Sequence, residues 1–265
     1  MRQADQITSR DNARLVHARK TRDGKVSDEI FLEGLRLVEE ALRSTVEIKE
    51  CFYTPRAAEN ARAEKWLERL SAMNIPVHEI SDALFNSISD TKTSQGIALT
   101  ASRPETGSNM ISRTGADLFV YLHQVNDPSN VGAVFRTAEA AGVNGIILSG
   151  GSADAFSTKA LRAAMGSNLR VPLWEKAELA DILGWAREKG LQTAAADTSG
   201  KLPHTAIGWN QPTLVMFGSE AHGLDEEVLS KVDLVFKIEM KNGVESLNLA
   251  VSAGIVLFEA VRLRQ

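Results

Sequence analysis

Three stretches after residue 125, Asn126–Gly142 (NDPSNVGAVFRTAEAAG), Phe217–Leu224 (FGSEAHGL) and Ile238–Ser252 (IEMKNGVESLNLAVS), each combine a strand exit, a polar turn and a helix start. Repetition of this join constrains the fold strongly, because strands running the same way need helical crossovers between them. It also says where to look for chemistry: ligands of α/β proteins collect at the carboxyl ends of parallel strands.

Leu118–Val125 (LFVYLHQV) is apolar at most positions, as expected of a strand covered on both faces. Asn126, Asp127 and Pro128 end it, and Ser129 or Asn130 is expected to cap a helix beginning at Val131. Val131, Val134, Phe135 and Ala138 then fall at helical spacing, with Arg136 pointing elsewhere. In isolation Asn130 reads as a cap and Arg136 as surface charge. Together they sit at the mouth of a βα loop, where free N–H groups favour an anion. Gly142 closes the helix, and VNGIILS completes a βαβ unit. In STKALRAAMGSNLRVPLW a helix, a turn and a strand follow, with Lys159 and Arg162 reading equally as phosphate contacts or solvated charge. Thr213–Gly218 is another buried strand. Glu220 in its exit loop is evenly a surface acid or a pocket-lining group, and His222 reads as structural. In the last helix Leu247, Ala250, Val251, Gly254, Ile255 and Phe258 form one apolar stripe, and Leu249, Val256 and Leu257 are apolar on other faces. Such a helix is expected to be buried nearly all round, in a deep core or at a subunit interface.

The first half also alternates. EIFLEG, IKECFYT, PVHEIS and GIALTAS read as strands, separated by helices at LRLVEEALRS, ENARAEKWLERLSAM and DALFNSISD, with Trp66, Leu67, Leu70 and Met73 on one helix side. At 265 residues the chain accommodates two domains, each with its own core. The expected division is a small N-terminal α/β domain at 1–106, a linker at 107–115 in the Pro-, Gly- and Ser-rich stretch SRPETGSNMISRTG, and a parallel-sheet α/β domain at 116–265. The formal net charge of −4 argues against a protein that coats nucleic acid non-specifically, yet Arg10, Arg14, Arg19, Lys20, Arg22 and Lys25 crowd the first 25 residues. There they would suit a phosphate backbone or simply form a solvated helix face. The single cysteine, Cys51, excludes an internal disulfide and a cysteine-based zinc cluster, and its strand setting suggests an inert buried thiol. Neither a signal peptide nor a membrane span is legible, so the expected compartment is the cytoplasm. No G-x-G-x-x-G or Walker loop follows a strand, which removes the dinucleotide, nucleotide-hydrolysing and Rossmann-type methyltransferase readings.

The three motifs, in this order and ending near the C-terminus, resemble those of the SpoU/TrmH branch of the SPOUT superfamily of RNA ribose 2′-O-methyltransferases. EIFLEGLRLVEEAL likewise resembles the substrate-binding domain that precedes the catalytic domain in many ribosomal-RNA members. The resemblance implies a C-terminal trefoil knot, S-adenosyl-L-methionine held by three loops, an RNA substrate (ribosomal preferred over transfer RNA) and a homodimer; no metal site is expected, since metal use leaves no trace in the sequence. The matching cofactor positions are Gly218, Ile238 and Leu247, with Met240 adjacent; the matching RNA-handling and catalytic positions are Asn130, Arg136, Glu220, Ser246 and Asn248. In the third motif Glu239 stands where a proline is usual and Asn242 where a glycine is usual. A transfer-RNA enzyme with the same site, and a non-catalytic RNA-binding or ribosome-assembly factor on the same fold, are the alternative readings.

Overall fold

The structure, a computed structural model, describes residues 5–115 and 117–264. Ala116 and Gln265, the expected ends of the second domain, lie outside the described residues, as do the first four. In chain order the elements are β1 (Asp5–Ile7), α1 (Ala13–Arg22), β2 (Glu29–Glu33), α2 (Leu35–Arg43), β3 (Ile48–Tyr53), α3 (Pro55–Ala58), α4 (Ala61–Ala72), β4 (Val77–Ile80), α5 (Asp82–Ile88) and β5 (Ile97–Ser102). They continue with β6 (Leu118–Leu122), α6 (Pro128–Ala140), β7 (Gly145–Ser149), α7 (Thr158–Ala164), β8 (Leu173–Ala177), α8 (Leu179–Glu188), β9 (Gln192–Ala196), β10 (Leu202–Pro203), β11 (Thr213–Phe217), α9 (Glu226–Leu229), β12 (Leu234–Lys237) and α10 (Leu249–Arg264). Two compact units result, Met1–Pro104 with Phe156–Leu169, and Glu105–Ala155 with Arg170–Gln265.

The first unit is built on a mixed five-stranded sheet in the order β1-β4-β3-β5-β2. Its core gathers Leu15, Phe31, Phe52, Phe85 and Ile88. Side-chain caps start its helices, Asn12 accepting from the Arg14 N–H (2.9 Å) and Asn60 from the Arg62 N–H (3.0 Å). Trp66, Leu67 and Leu70 of α4 are buried as their spacing demands, whereas Met73 lies past the helix end and is exposed. Part of the basic cluster has structural work. Arg14 pairs with Glu50, Arg19 donates to the Arg10 carbonyl (2.8 Å), and Arg22 donates to the carbonyls of Ser87 (3.1 Å) and Ser89 (3.2 Å). Burial raises the Cys51 thiol, leaving it protonated and inert. The helix α7 packs with this unit: Thr158 Oγ1 donates to Asp90 (2.7 Å) and Arg162 bridges to the same carboxylate (2.9 Å).

The second unit carries an all-parallel seven-stranded sheet in the order β10-β12-β9-β11-β6-β7-β8. Phe119, Tyr121, Ile147, Ile182, Leu214, Met216 and Val228 fill one core against this sheet, with Trp174 and Trp185 packed on its margin. Residues 107–115, read from composition as a linker, belong structurally to this unit, since Ile111 is buried in its core. The helix α6 starts earlier than expected. Asp127, not Ser129 or Asn130, is the cap, accepting from the Ser129 N–H (2.9 Å), with Pro128 in the first turn where its missing N–H costs nothing. Gly142, at φ 68°, ends this helix. The helix α10 packs on α6 with Ala253, Val256, Leu257 and Ala260 buried, but it is not buried all round: Val251 and Phe258 are each 51% exposed. No described helix is long and apolar enough to cross a membrane.

Candidate active site at the strand exits of the second unit

Because β9, β11, β6 and β12 run parallel, their exit loops share one end of the sheet. A cavity of about 370 Å³ opens there. It is lined by Asp197 and Thr198 after β9, by Gly218, Ser219, Glu220, His222 and Gly223 after β11, by Ile238 and Met240 after β12, and by Glu245, Ser246 and Leu247 ahead of α10. The motif residues Gly218, Glu220, Ile238, Met240, Ser246 and Leu247 therefore meet around one space, although they lie on separate loops.

Gly218 has a role that the motif alone did not predict. A Cβ there would lie 1.9 Å from the Gly223 carbonyl carbon and 2.4 Å from the Leu224 nitrogen. The close approach is made by the chain itself, folding the 218–224 loop back through the Gly223 N–H to Ser219 O bond (2.8 Å). In the third motif Ile238 and Met240 face the cavity while Glu239 between them is exposed, as side chains alternate along an extended segment. Asn242 adopts φ 59°. That is the left-handed conformation glycine supplies, and asparagine is among the few residues that accept it, so the substitution keeps the turn.

A hydrogen-bonded chain joins the first motif to the other two. Asn130 donates through Nδ2 to Glu220, and its Oδ1 accepts from Asn248 Nδ2 (3.1 Å). Asn248 Oδ1 in turn accepts from the Ala250 N–H (2.9 Å) in the first turn of α10. Both amides are thereby fixed in orientation, since each oxygen faces a donor. Arg136 stands apart. It is exposed on α6, six residues or about 9 Å along the axis from Asn130. It neither lines the cavity nor forms an ion pair or hydrogen bond among the described residues.

Behind the site runs a second chain. The imidazole of His123 bonds Tyr121 Oη through Nδ1 (2.8 Å) and Asp225 through Nε2 (2.9 Å), while its backbone N–H donates to Phe217 O (2.8 Å). One residue thus holds both ends of the loop that carries Glu220. Burial pushes the Tyr121 hydroxyl up to about 12 against a Ser149 hydrogen bond that lowers it, with Asp225 and Glu178 adding to the rise, so the phenol stays protonated. His123, Asp197 and Thr198 went unnoticed in the sequence. The local trace of Asp197 is an acid followed by Thr-Ser-Gly after the run QTAAA, and that alanine run does not itself read as a strand.

Two family models match the chain: the SpoU rRNA Methylase family over residues 117–258, and RNA 2′-O ribose methyltransferase substrate binding over residues 31–107. The 23S rRNA (guanosine(2553)-2′-O)-methyltransferase RlmP of Bacillus subtilis is 30% identical over 243 residues, 92% of this chain and 92% of that protein. An uncharacterised tRNA/rRNA methyltransferase of Synechocystis is 30% identical over 259 residues, covering 97% and 93% of the two chains. Among solved structures, the AdoMet-bound rRNA methyltransferase from Sinorhizobium meliloti superposes with a TM-score of 0.87 at 29% identity, covering 98% of each chain.

Proposed function

We propose, given that this chain belongs to the SpoU rRNA methylase family and is an S-adenosylmethionine-dependent RNA ribose 2′-O-methyltransferase, that its substrate is ribosomal RNA and that the strand-exit cavity is its cofactor site. The observation that carries the assignment of the site is the convergence of three separate motif loops on one space. The residues suit the cofactor. Ile238, Leu247 and Leu249 offer apolar surface for a purine, and the carboxylates of Asp197, Glu220 and Glu245 surround a space meant for a ligand of net positive charge. When bound, S-adenosylmethionine supplies a methyl group already activated on a sulfonium.

What remains for the protein is to align the attacking hydroxyl and give its proton a route. Arg136 has the chemistry for the first task. A guanidinium stays protonated in almost any setting, which excludes it as a literal base, but its fork binds a phosphate bidentately. Exposed and without an ion-pair partner among the described residues, it is free to hold the phosphate beside the target ribose, with that phosphate or water accepting the proton. The Glu220–Asn130–Asn248 chain keeps the first and second loops in register with the start of α10. Arg136→Lys keeps the charge and loses the fork, so turnover should fall by an order of magnitude or more; near-full turnover would overturn the positioning role.

The reading extends to three further points. A trefoil knot is supported by the match to the SpoU rRNA Methylase family over residues 117–258. A homodimer is supported by Val251, Ile255 and Phe258, which recur at helical spacing along α10 and leave Val251 and Phe258 uncovered in the single chain. The cytoplasm is proposed as the compartment because that is where the RNA substrate would be met. Substrate class is tested by offering labelled S-adenosylmethionine with ribosomal subunits or with transfer RNA, both from cells lacking the protein. Label entering ribosomal RNA supports the proposal, and label entering only transfer RNA refutes it.

A further inference from the structure

We infer that Asp197 is a cofactor-binding residue, its free carboxylate oxygen accepting a hydrogen bond from the ribose hydroxyls of the bound nucleoside and so selecting a ribonucleoside ligand. The inference rests on the cavity being the cofactor site.

Asp197 directly follows β9, and its backbone is fixed there: its N–H donates to Phe236 O (2.9 Å) and its carbonyl accepts from the Gly200 N–H (3.1 Å). The side chain is fixed as well. Oδ1 accepts from both the Ser199 N–H (2.8 Å) and the Ser199 hydroxyl (2.7 Å), a local turn that sets the carboxylate plane. This leaves Oδ2 without a protein donor among the described residues. Oδ2 lies 3.5 Å from the point where a Cβ on Gly223 would stand, which places it at the cavity wall facing the loop after β11. Because residue 223 is glycine, no side chain screens this oxygen. A ligand that enters and displaces water must offer it a donor, or the oxygen is left desolvated and unpaired.

The chemistry of that donor follows from the capacity of the site. Oδ1 is already occupied by two donors, so Asp197 has one open oxygen to offer. An ammonium carries three N–H donors and would need several acceptors around it. One open oxygen held at a rigid strand exit suits a neutral hydroxyl, and a vicinal diol presents two of them side by side. Glu220 is not equivalent, since Asn130 already engages it. Glu245 sits on an exposed stretch of the third loop, without the turn that locks Asp197 in place.

The test is calorimetric titration of the full-length protein with three probes: S-adenosylhomocysteine, 5′-methylthioadenosine, which lacks the amino-acid ammonium, and the 2′-deoxy form of S-adenosylhomocysteine. Asp197→Asn keeps an oxygen for Ser199 and removes the charge at Oδ2; a thermal melt checks that it is folded. The expected result is an affinity loss of about ten- to a hundredfold for both ribonucleosides, the range of a hydrogen bond to a charged group. The 2′-deoxy probe should bind the wild type weakly and lose little more on substitution. Equal affinities in wild type and variant, or a loss confined to probes that carry the ammonium, overturn the assignment. Leu247→Arg separates the two layers of argument. If it leaves binding intact, the cavity is not the cofactor site and the inference falls with that reading; if it abolishes binding while Asp197→Asn has no effect, only the ribose assignment falls.

Discussion

Gly218→Ala is a one-carbon change whose consequence is read directly from the backbone. The added Cβ would meet the Gly223 carbon at 1.9 Å, its oxygen at 2.0 Å and the Leu224 nitrogen at 2.4 Å. Ordinary contacts between such atoms lie at about 3.5–4.0 Å, so the 218–224 loop must retreat by roughly 1.5–2 Å. Every atom in the way is backbone, and no rotamer change can relieve the clash. The retreat is opposed by the Gly223–Ser219 hydrogen bond, by buried Leu224 and by the His123–Asp225 contact at the loop's end. Overpacking of this kind costs about 1–3 kcal/mol. The loop tip is exposed, so the strain should be relieved by displacing it, at the expense of the cavity that Gly218, Glu220 and Gly223 line. If about 2 kcal/mol of that strain must be overcome on binding, affinity for S-adenosylhomocysteine falls roughly thirtyfold. Titration calorimetry and a thermal melt measure the two quantities together. Gly184→Ala in the middle of α8 is the matched control, because nothing lies within 4 Å of its Cβ position and φ there is not positive. It should stabilise by about 0.8–1 kcal/mol, raising Tm by roughly 2–4 °C. Wild-type affinity and melting for Gly218→Ala would refute the argument, since the chain would then have room that the backbone geometry denies.

Three other outcomes are expected. His123→Ala should cost about 1–3 kcal/mol by removing the His123 partner of the buried Tyr121 hydroxyl and the contact to Asp225, and Tyr121→Phe in the same background should recover part of that loss, a coupling that urea titrations of the four variants measure. Burial raises the Asp117 carboxyl, but the N–H groups of Thr114 and Gly115, the Thr114 hydroxyl and Arg113 outweigh it and hold the carboxyl below its ordinary value. Its stabilisation is therefore present above the unfolded value of about 3.9 and lost as pH falls through the folded one, so the stability gap between wild type and Asp117→Asn should narrow in acid denaturation below about pH 4. Phe258→Glu should convert a dimer to a monomer in light scattering; a wild type already monomeric at micromolar concentration would contradict the interface on α10.

Strands buried on both faces were legible because their apolar runs are short, continuous and bounded by turns, as at Leu118–Leu122 and Thr213–Phe217. Central strand β9 was not: its sequence is QTAAA, and alanines carry no strand preference, although Ala194 and Ala195 are fully buried between β12 and β11. The start of α6 differs from the expected one because proline after Asn-Asp reads as an ending, whereas in a first helical turn it is a beginning. Nor could periodicity show that Phe156–Leu169 packs with the first unit, since that depends on partners such as Asp90, far off in sequence. At the site, Asn248 and Asn130 are 118 residues apart. No local pattern joins such a pair, and only the likeness of whole motifs pointed to it. Asp197 escaped for the opposite reason: it belongs to none of the three motifs, and only the sheet order brings its strand beside theirs.

The most direct measurement maps ribose methylation, nucleotide by nucleotide, on ribosomal RNA from cells lacking the protein after incubation with S-adenosylmethionine and either wild type or Arg136→Ala. A single ribose methylated by the wild type and left unmodified by the variant, with S-adenosylhomocysteine binding equally to both, is the predicted result. Methylation by Arg136→Ala at the wild-type rate, or a methyl group found on a base in place of the ribose, would contradict the account.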